Sequence, residues 1–425
     1  MMSNFSRPAR LYLTHVALLT FGISISGIFF NLALVSLGYD QRTLRLPLLG
    51  ELSLLGVLNS LPVLAAALSS LPLWWLVGRV GLRASLIIAA GLASIPLLSV
   101  ALWPEPLPLL VGTAIGGPAA VLFQVSAAPL MMRASGAQGR DLLFSVSFGL
   151  SIGVAGLGSL VGGLMPGLAA RLLEVAPQSA GAYRATFAIS ALVVLASAAP
   201  LLALRVPPAA GAGGDAAPIG GLLRELLARP WGTLRFLISP LLISCGAALL
   251  IPYLSLYFRL RYGAPDAALG LIFAAVDVAT GAATLLAPQL SARLGRPASV
   301  VLTQAIATPC LLLLGMAPAL WMASSVAIVR GALMNMAAPL YEAHAMEQTP
   351  EAARPLVIGL ISGAYSAGYI IGPTVSAEVQ RSYGFAPLFA ATAACYCLAA
   401  LANYLIFVRP GARPGAERGS PASGV

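Results

Sequence analysis

Residues 73–98 read LWWLVGRVGLRASLIIAAGLASIPLL, and residues 287–312 read APQLSARLGRPASVVLTQAIATPCLL. Each is a short arginine-glycine turn between two apolar runs, and a shift of 214 residues lays Arg79-Val80-Gly81 on Arg293-Leu294-Gly295. The same shift pairs Met132 with Met346, Arg140 with Arg354, Gly149 with Gly363 and Gly158 with Gly372. In a chain this biased in composition, identities alone carry little weight. Equivalent loops that receive the same residue types at one constant offset carry more. The beginning of each copy needs an offset of 225 instead (Arg10 with Arg235, Gly38 with Gly263), which implies eleven extra residues in the first copy, around QRTLRLPLLGE. The chain reads as one unit written twice.

Of the 425 residues, 59% are apolar and 9% charged, against about 25% charged in a water-soluble domain. A helix needs about 20 apolar residues to cross a hydrocarbon core of about 30 Å. Such runs occur at 10–37, 51–77, 84–103, 107–133, 140–171, 183–205, 232–259, 266–290, 298–317, 320–347, 354–381 and 386–408. Apolarity over such lengths, without alternation over about ten residues, predicts helices and not a membrane β-barrel. The first run is too long for the apolar stretch of a secretory signal, about 7–15 residues, and eleven more follow it. The expected fold is an all-α membrane protein with twelve transmembrane helices in two pseudo-symmetric six-helix bundles. Residues 1–205 form the first bundle and 232–408 the second. Between them, 206–231 reads as a linker with a short amphipathic helix around Leu222, Arg224, Glu225 and Leu226, and 409–425 as a disordered tail.

All 24 basic residues are arginines. Without a lysine there is no Walker-type phosphate loop and no Schiff-base chemistry. His15 and His344 are the only imidazoles, and Cys245, Cys310, Cys395 and Cys397 lie in apolar runs without metal-ligand spacing. No cofactor and no metal is expected, and no enzymatic activity. With both termini on the cytoplasmic side, sixteen arginines lie inside and seven outside, which satisfies the positive-inside rule. The +10 charge is therefore read as topology in an inner membrane and as contact with its anionic lipids, not as nucleic-acid binding. Repeated halves about a midplane site are the plan of an alternating-access transporter; duplication in a channel or a non-transporting receptor is the other reading.

The turn at Gly78, Arg79, Gly81 and Arg83, repeated at Arg293 and Gly295, resembles the loop 2/3 motif G-x-x-x-D-R-x-G-R-R of the major facilitator superfamily, and the resemblance extends over nearly the whole chain. The acidic position of that motif is Gly78 in the first copy and Ala292 in the second. Proton-coupled exporters of the superfamily carry G-x8-G-x3-G-P-x2-G-G in span 5. Here the closer match is in span 11, with Gly359, Gly368, Gly372 and Pro373, while span 5 offers Gly158, Gly162 and Gly163. These glycines are expected to pack helices closely. The intramembrane Arg that such exporters carry on span 4 is Gly116 here, and its counterpart on span 10 is Arg330. The resemblance implies a gating role for Arg79, Gly81, Arg83, Arg293 and Gly295.

Asp277 and Arg330 lie near the middle of spans 8 and 10, where a lone charge costs about 2.5–3.5 kcal/mol or more. Two readings stay open: a permanent ion pair between them, or a carboxylate that takes up and releases a proton as its surroundings change. Since spans 1, 4, 7 and 10 line the superfamily's central cavity, Asn31, Gln124, Tyr253, Tyr257 and Asn335, with Tyr365 of span 11, are the expected substrate contacts. The expected function is a monomeric secondary active transporter that couples protons to export of a small amphipathic or drug-like molecule. Uptake or facilitated passage of a polar metabolite is the alternative.

Overall fold

A computed structural model describes residues 5–46, 50–135, 140–205, 230–350 and 353–409. The expected linker helix at 206–229 and the tail from 410 lie outside the described residues, as do the side chains of Arg140 and Asp141. Twelve helices among the described residues are long and apolar enough to span a membrane: α1 (Arg7–Ser36), α2 (Leu54–Val80), α3 (Leu82–Leu102), α4 (Pro106–Ala134), α5 (Arg140–Leu172), α6 (Ala180–Leu202), α7 (Ile238–Tyr262), α8 (Asp266–Leu294), α9 (Arg296–Met316), α10 (Leu320–Glu347), α11 (Arg354–Tyr383) and α12 (Ala386–Val408). Their outward faces are apolar. Leu71, Leu172, Leu285 and Met316 each keep more than 70% of their surface exposed, as expected where the solvent is lipid.

Pairwise packing repeats between the halves. In the first, α1 lies on α5 and α6, α4 on α2 and α3, and α3 on α6; in the second, α7 lies on α11 and α12, α10 on α8 and α9, and α9 on α12. Two long helix contacts join the halves, α5 with α8 and α2 with α11, and a smaller one runs between the far ends of α1 and α7. The 225-residue offset is visible in the backbone too. Helix α1 breaks after Gly27, and α7 breaks at its counterpart Pro252, through a 3-10 turn at Ile251–Tyr253. The eleven extra residues of the first copy are not a plain loop but a hairpin, β1 (Thr43–Leu46) paired antiparallel with β2 (Gly50–Ser53), and β2 touches α11.

The twin turns are equally alike. Gly81 has φ 83° and ψ 159°, Gly295 φ 79° and ψ 155°. That region is essentially closed to residues with a Cβ, at a strain of about 1–3 kcal/mol, so a glycine at this place in both copies is a backbone requirement.

Among the described residues, most of the buried apolar side chains fall into three groups. One spans both halves at the end opposite the termini and includes Phe29, Leu54, Leu58 and Tyr183 with Tyr253, Tyr257, Leu269 and Ala377. The other two are confined to one half each at the end bearing the termini: Tyr12, Val77, Leu130 and Leu201 in the first, Phe236, Met336, Tyr341 and Val357 in the second. The bundles are thus fused at the far end and separate at the termini end.

Candidate functional site

Two backbone seams make the far-end closure. On α8, a Cβ built at Gly270 would lie 2.6 Å from Gly163 Cα of α5, and one at Gly163 would lie 2.8 Å from Gly270 Cα. On α2, a Cβ at Gly56 would lie 2.6 Å from Thr374 Cα of α11 and 3.1 Å from Ala377 Cβ. The 214-residue offset carries Gly56 onto Gly270 and Gly163 onto Ala377, so the seams are one contact used twice. That pairing is present in the sequence; sequence reasoning missed it because nothing there says which of 43 glycines meet across the molecule. Polar bonds reinforce the seams. Ser60 and Thr374 hydroxyls are 3.0 Å apart, and Asn31 Nδ2 donates to the Pro252 carbonyl at 2.6 Å while its Oδ1 accepts from Asn59.

A further cross-link was not anticipated. Tyr183 of α6 donates its hydroxyl to Asp266 Oδ1 at 3.0 Å, Arg259 of α7 forms an ion pair with the same oxygen, and Arg259 Nη1 donates to the Tyr183 hydroxyl at 3.3 Å. Removal of the hydroxyl in Tyr183→Phe forfeits hydrogen bonds to charged groups, about 1.5–3 kcal/mol, and the loss falls only on the far-end-closed state. A cysteine introduced by Ser70→Cys at the termini-end cavity is therefore expected to react at least several-fold more slowly with an impermeant thiol reagent in Tyr183→Phe. An unchanged rate would show that this cluster does not hold the closure.

Between the parted bundles lies a cavity of about 620 Å³, lined by Pro62, Ala66 and Ser70 of α2, Gly116, Gly117 and Gln124 of α4, and Gly359, Ser362, Gly363 and Ser366 of α11. Within the second bundle, a cavity of about 350 Å³ is lined by α7, α10, α11 and α12 and by Gln304 of α9, and includes Arg330, Asn335, Glu342, Tyr365, Tyr369 and Tyr396. Residues 330, 334, 338 and 342 stand at four-residue spacing on one face of α10, which brings Glu342 into this cavity. Its counterpart in the first bundle, about 330 Å³, has an apolar lining of Leu19, Ile23, Pro96 and Phe123, with Gly116 and Gln124 on α4.

Of the expected substrate contacts, Gln124, Asn335 and Tyr365 line cavities. Tyr253 does not, and Tyr257 lines only a separate far-end cavity of about 420 Å³, with Arg261, Phe385 and Phe389. The first donates to the Pro373 carbonyl at 2.8 Å, the second to the Leu314 carbonyl at 3.1 Å, and both are buried in the far-end core. The break at Pro252 turns this part of α7 into helix packing, so the hydroxyls serve backbone carbonyls. Asn31 likewise belongs to the join between bundles. Among the packing glycines, Gly158 and Gly162 meet α1 and Gly163 meets α8, while Gly368 and Gly372 meet α7. Gly359 packs on nothing within 4 Å and opens onto the central cavity instead. At the termini-end turns, Arg79 lies 3.7 Å from the Trp75 ring centroid, Arg83 donates to the Leu201 and Leu202 carbonyls, and Arg293 is exposed.

The expected Asp277–Arg330 pair is absent. Helices α8 and α10 do pack together, but through Val276 against Gly331. Asp277 and Arg330 are each one residue, about 100° of helix, off that line. Arg330 turns into the second bundle and donates to the Tyr396 hydroxyl. Asp277 turns the other way, onto the first bundle, where Ser159 of α5 donates to its Oδ2 at 3.2 Å. Among the described residues it has no cationic partner within 4.0 Å.

Residues 236–424 match the sequence pattern of the Major Facilitator Superfamily. No curated protein matches the chain in sequence. Solved structures share the fold over nearly the whole length. A D-xylose-proton symporter is 17% identical with a TM-score of 0.71, covering 93% of this chain and 97% of its own. A bacterial homolog of the human lysosomal transporter Spinster, inward-facing and unoccupied, is 14% identical with a TM-score of 0.73 and 95% coverage of each chain. The nucleoside transporter NupG is 16% identical with a TM-score of 0.68, covering 93% of this chain and all of its own.

Proposed function

We propose that this chain is a multi-pass membrane transporter of the major facilitator superfamily, whose sequence pattern matches residues 236–424 and whose solved members share its fold, and that it works by alternating access and couples protons to the export of a small amphipathic organic molecule. One observation carries this reading: the bundles are sealed at one end and parted at the other, with the carboxylate of Asp277, which has no cationic partner among the described residues, bridging them on the seam between α5 and α8. With the termini in the cytoplasm of a cell bounded by this membrane, as the arginine distribution favours, the state described is inward-open.

Rocking the bundles about the glycine seams would close the termini end and open the far end. The same movement separates Asp277 from Ser159 or brings them together, and so changes its access to water. A carboxyl that is dry in one state and wet in the other takes up a proton in one and gives it back in the other. The arginine-glycine turns at Gly81 and Gly295 lie at the end that must close, which supports their gating role. Export is favoured by the glycine-proline run of α11, which packs on α7 through Gly368 and Gly372. The polar lining of the second-bundle cavity favours the alternative, passage of a polar metabolite.

Flux in proteoliposomes decides between these. With a panel of amphipathic acids and bases, sugars and nucleosides and an imposed pH difference, at least one compound is expected to accumulate against its gradient and to leak back when a protonophore is added. Saturable flux that only equilibrates would leave a facilitator. Non-saturable ion conductance would refute alternating access.

A further inference from the structure

Arg330 is 8% exposed, and its Nε has no hydrogen-bond partner. Its guanidinium donates to the Tyr396 hydroxyl and lies 5.5 Å from that ring's centroid, and among the described residues no carboxylate comes within 4.0 Å. A guanidinium has five N–H donors in a planar fork, and burial of its charge without an anion is costly. The equivalent position of the first bundle is Gly116, in a cavity of similar size that is apolar. The charge is therefore a property of this cavity, not a requirement of the repeated fold.

On the same face of α10, Glu342 lies twelve residues along, about 18 Å of helix rise. That is too far to neutralise the guanidinium. The remaining wall combines Tyr365 and Tyr369 with aliphatic side chains such as Ile243 and Met334 and the polar Gln304 and Asn335, and a volume of about 350 Å³ is at the small end for ligand pockets.

We propose that this second-bundle cavity binds a small aromatic or aliphatic monocarboxylate, its carboxylate held in the fork of Arg330 beside Tyr396. The inference rests on the transport reading, since it names the substrate class of that carrier. A carboxylate matches the free donors of the fork bidentately, whereas a neutral amide offers one carbonyl acceptor and leaves the buried charge uncompensated.

The test is a thermal-shift titration of the purified full-length protein in detergent with benzoate, salicylate and hexanoate, against benzamide, salicylamide and hexanamide as neutral isosteres and sulfate as an inorganic anion. The monoacids are expected to raise the unfolding midpoint, and the others to leave it in place. Arg330→Gln is expected to weaken monoacid binding about tenfold or more, with part of the affinity kept in Arg330→Lys. Equal shifts by acid and amide, a sulfate shift as large as that of the acids, no shift by any monoacid, or an Arg330→Gln affinity within twofold of the parent would each overturn the proposal. If Arg330→Gln does not fold, the acid-amide comparison in the unmodified protein decides alone. Binding in detergent needs no gradient. Acid-selective binding without flux in proteoliposomes would therefore sink the transport reading and keep the site, while flux of neutral compounds without acid binding would do the reverse.

Discussion

Asp277→Asn is expected to abolish uphill transport and to leave exchange of substrate across the membrane within about twofold of the parent. A difference of one pH unit stores about 1.4 kcal/mol per proton, enough for about tenfold accumulation at one proton per substrate. The variant's accumulation ratio falls to one. The substitution is nearly isosteric, and the amide oxygen can still accept the bond that Ser159 Oγ donates at 3.2 Å, so the α5–α8 seam keeps its shape while the group that titrates is gone. Ser159→Ala serves as the control: it forfeits one hydrogen bond, about 0.5–1.5 kcal/mol, but keeps the carboxyl, and uphill transport survives. The measurement is accumulation and counterflow in the same proteoliposomes, with a compound the parent protein concentrates. Undiminished accumulation in Asp277→Asn would remove this residue from coupling.

Gly163→Trp is expected to stop the transport cycle by arresting the protein with its far end open. Gly163 and Gly270 meet backbone to backbone, and a single Cβ at either already lies 2.6–2.8 Å from the opposing Cα, closer than side-chain carbons approach one another. One inserted methyl costs about 1–3 kcal/mol when a packed contact cannot yield, whereas inverting a 99:1 equilibrium takes about 5.5 kcal/mol. Gly163→Ala should accordingly shift the balance and slow the cycle, and an indole should end it. The far-end-open state has no such contact, so the variant still folds. The Ser70→Cys reporter at the termini-end cavity reads the arrest: its reaction with an impermeant thiol reagent drops at least tenfold in Gly163→Trp, and flux falls below detection. An unaltered reaction rate together with normal flux would mean that the seam opens and closes without these glycines in contact.

Part of this was legible from composition and repetition. Length and continuity of the apolar runs required helices that span a membrane, because an unpaired peptide group in hydrocarbon is too costly for anything else. The 214-residue offset of Arg79 and Gly81 on Arg293 and Gly295 exposed the duplication, and the shared backbone of Gly81 and Gly295 is its physical cause. Side-chain partners were not legible in the same way. Asp277 and Arg330 stand at similar depth on helices that do touch, yet a single residue of phase sends one to Ser159 and the other to Tyr396. Tyr253 and Tyr257 looked like cavity residues until the break at Pro252 turned them into the far-end core. The Tyr183–Arg259–Asp266 cluster joins residues 76 and 83 positions apart, which no local spacing announces.

The solvent, the number of spans, their likeness in two halves and the exclusion of lysine chemistry follow from residue type and periodicity alone. Which end is sealed, which residues form the seams, that Asp277 faces the other bundle and that Arg330 stands in a cavity with no carboxylate partner among the described residues follow from the packed helices. Those features depend on helix rotation and on contacts between distant segments. Within an almost uniformly apolar chain, a rotation of about 100° changes a residue's partner without changing the composition from which any sequence reading starts.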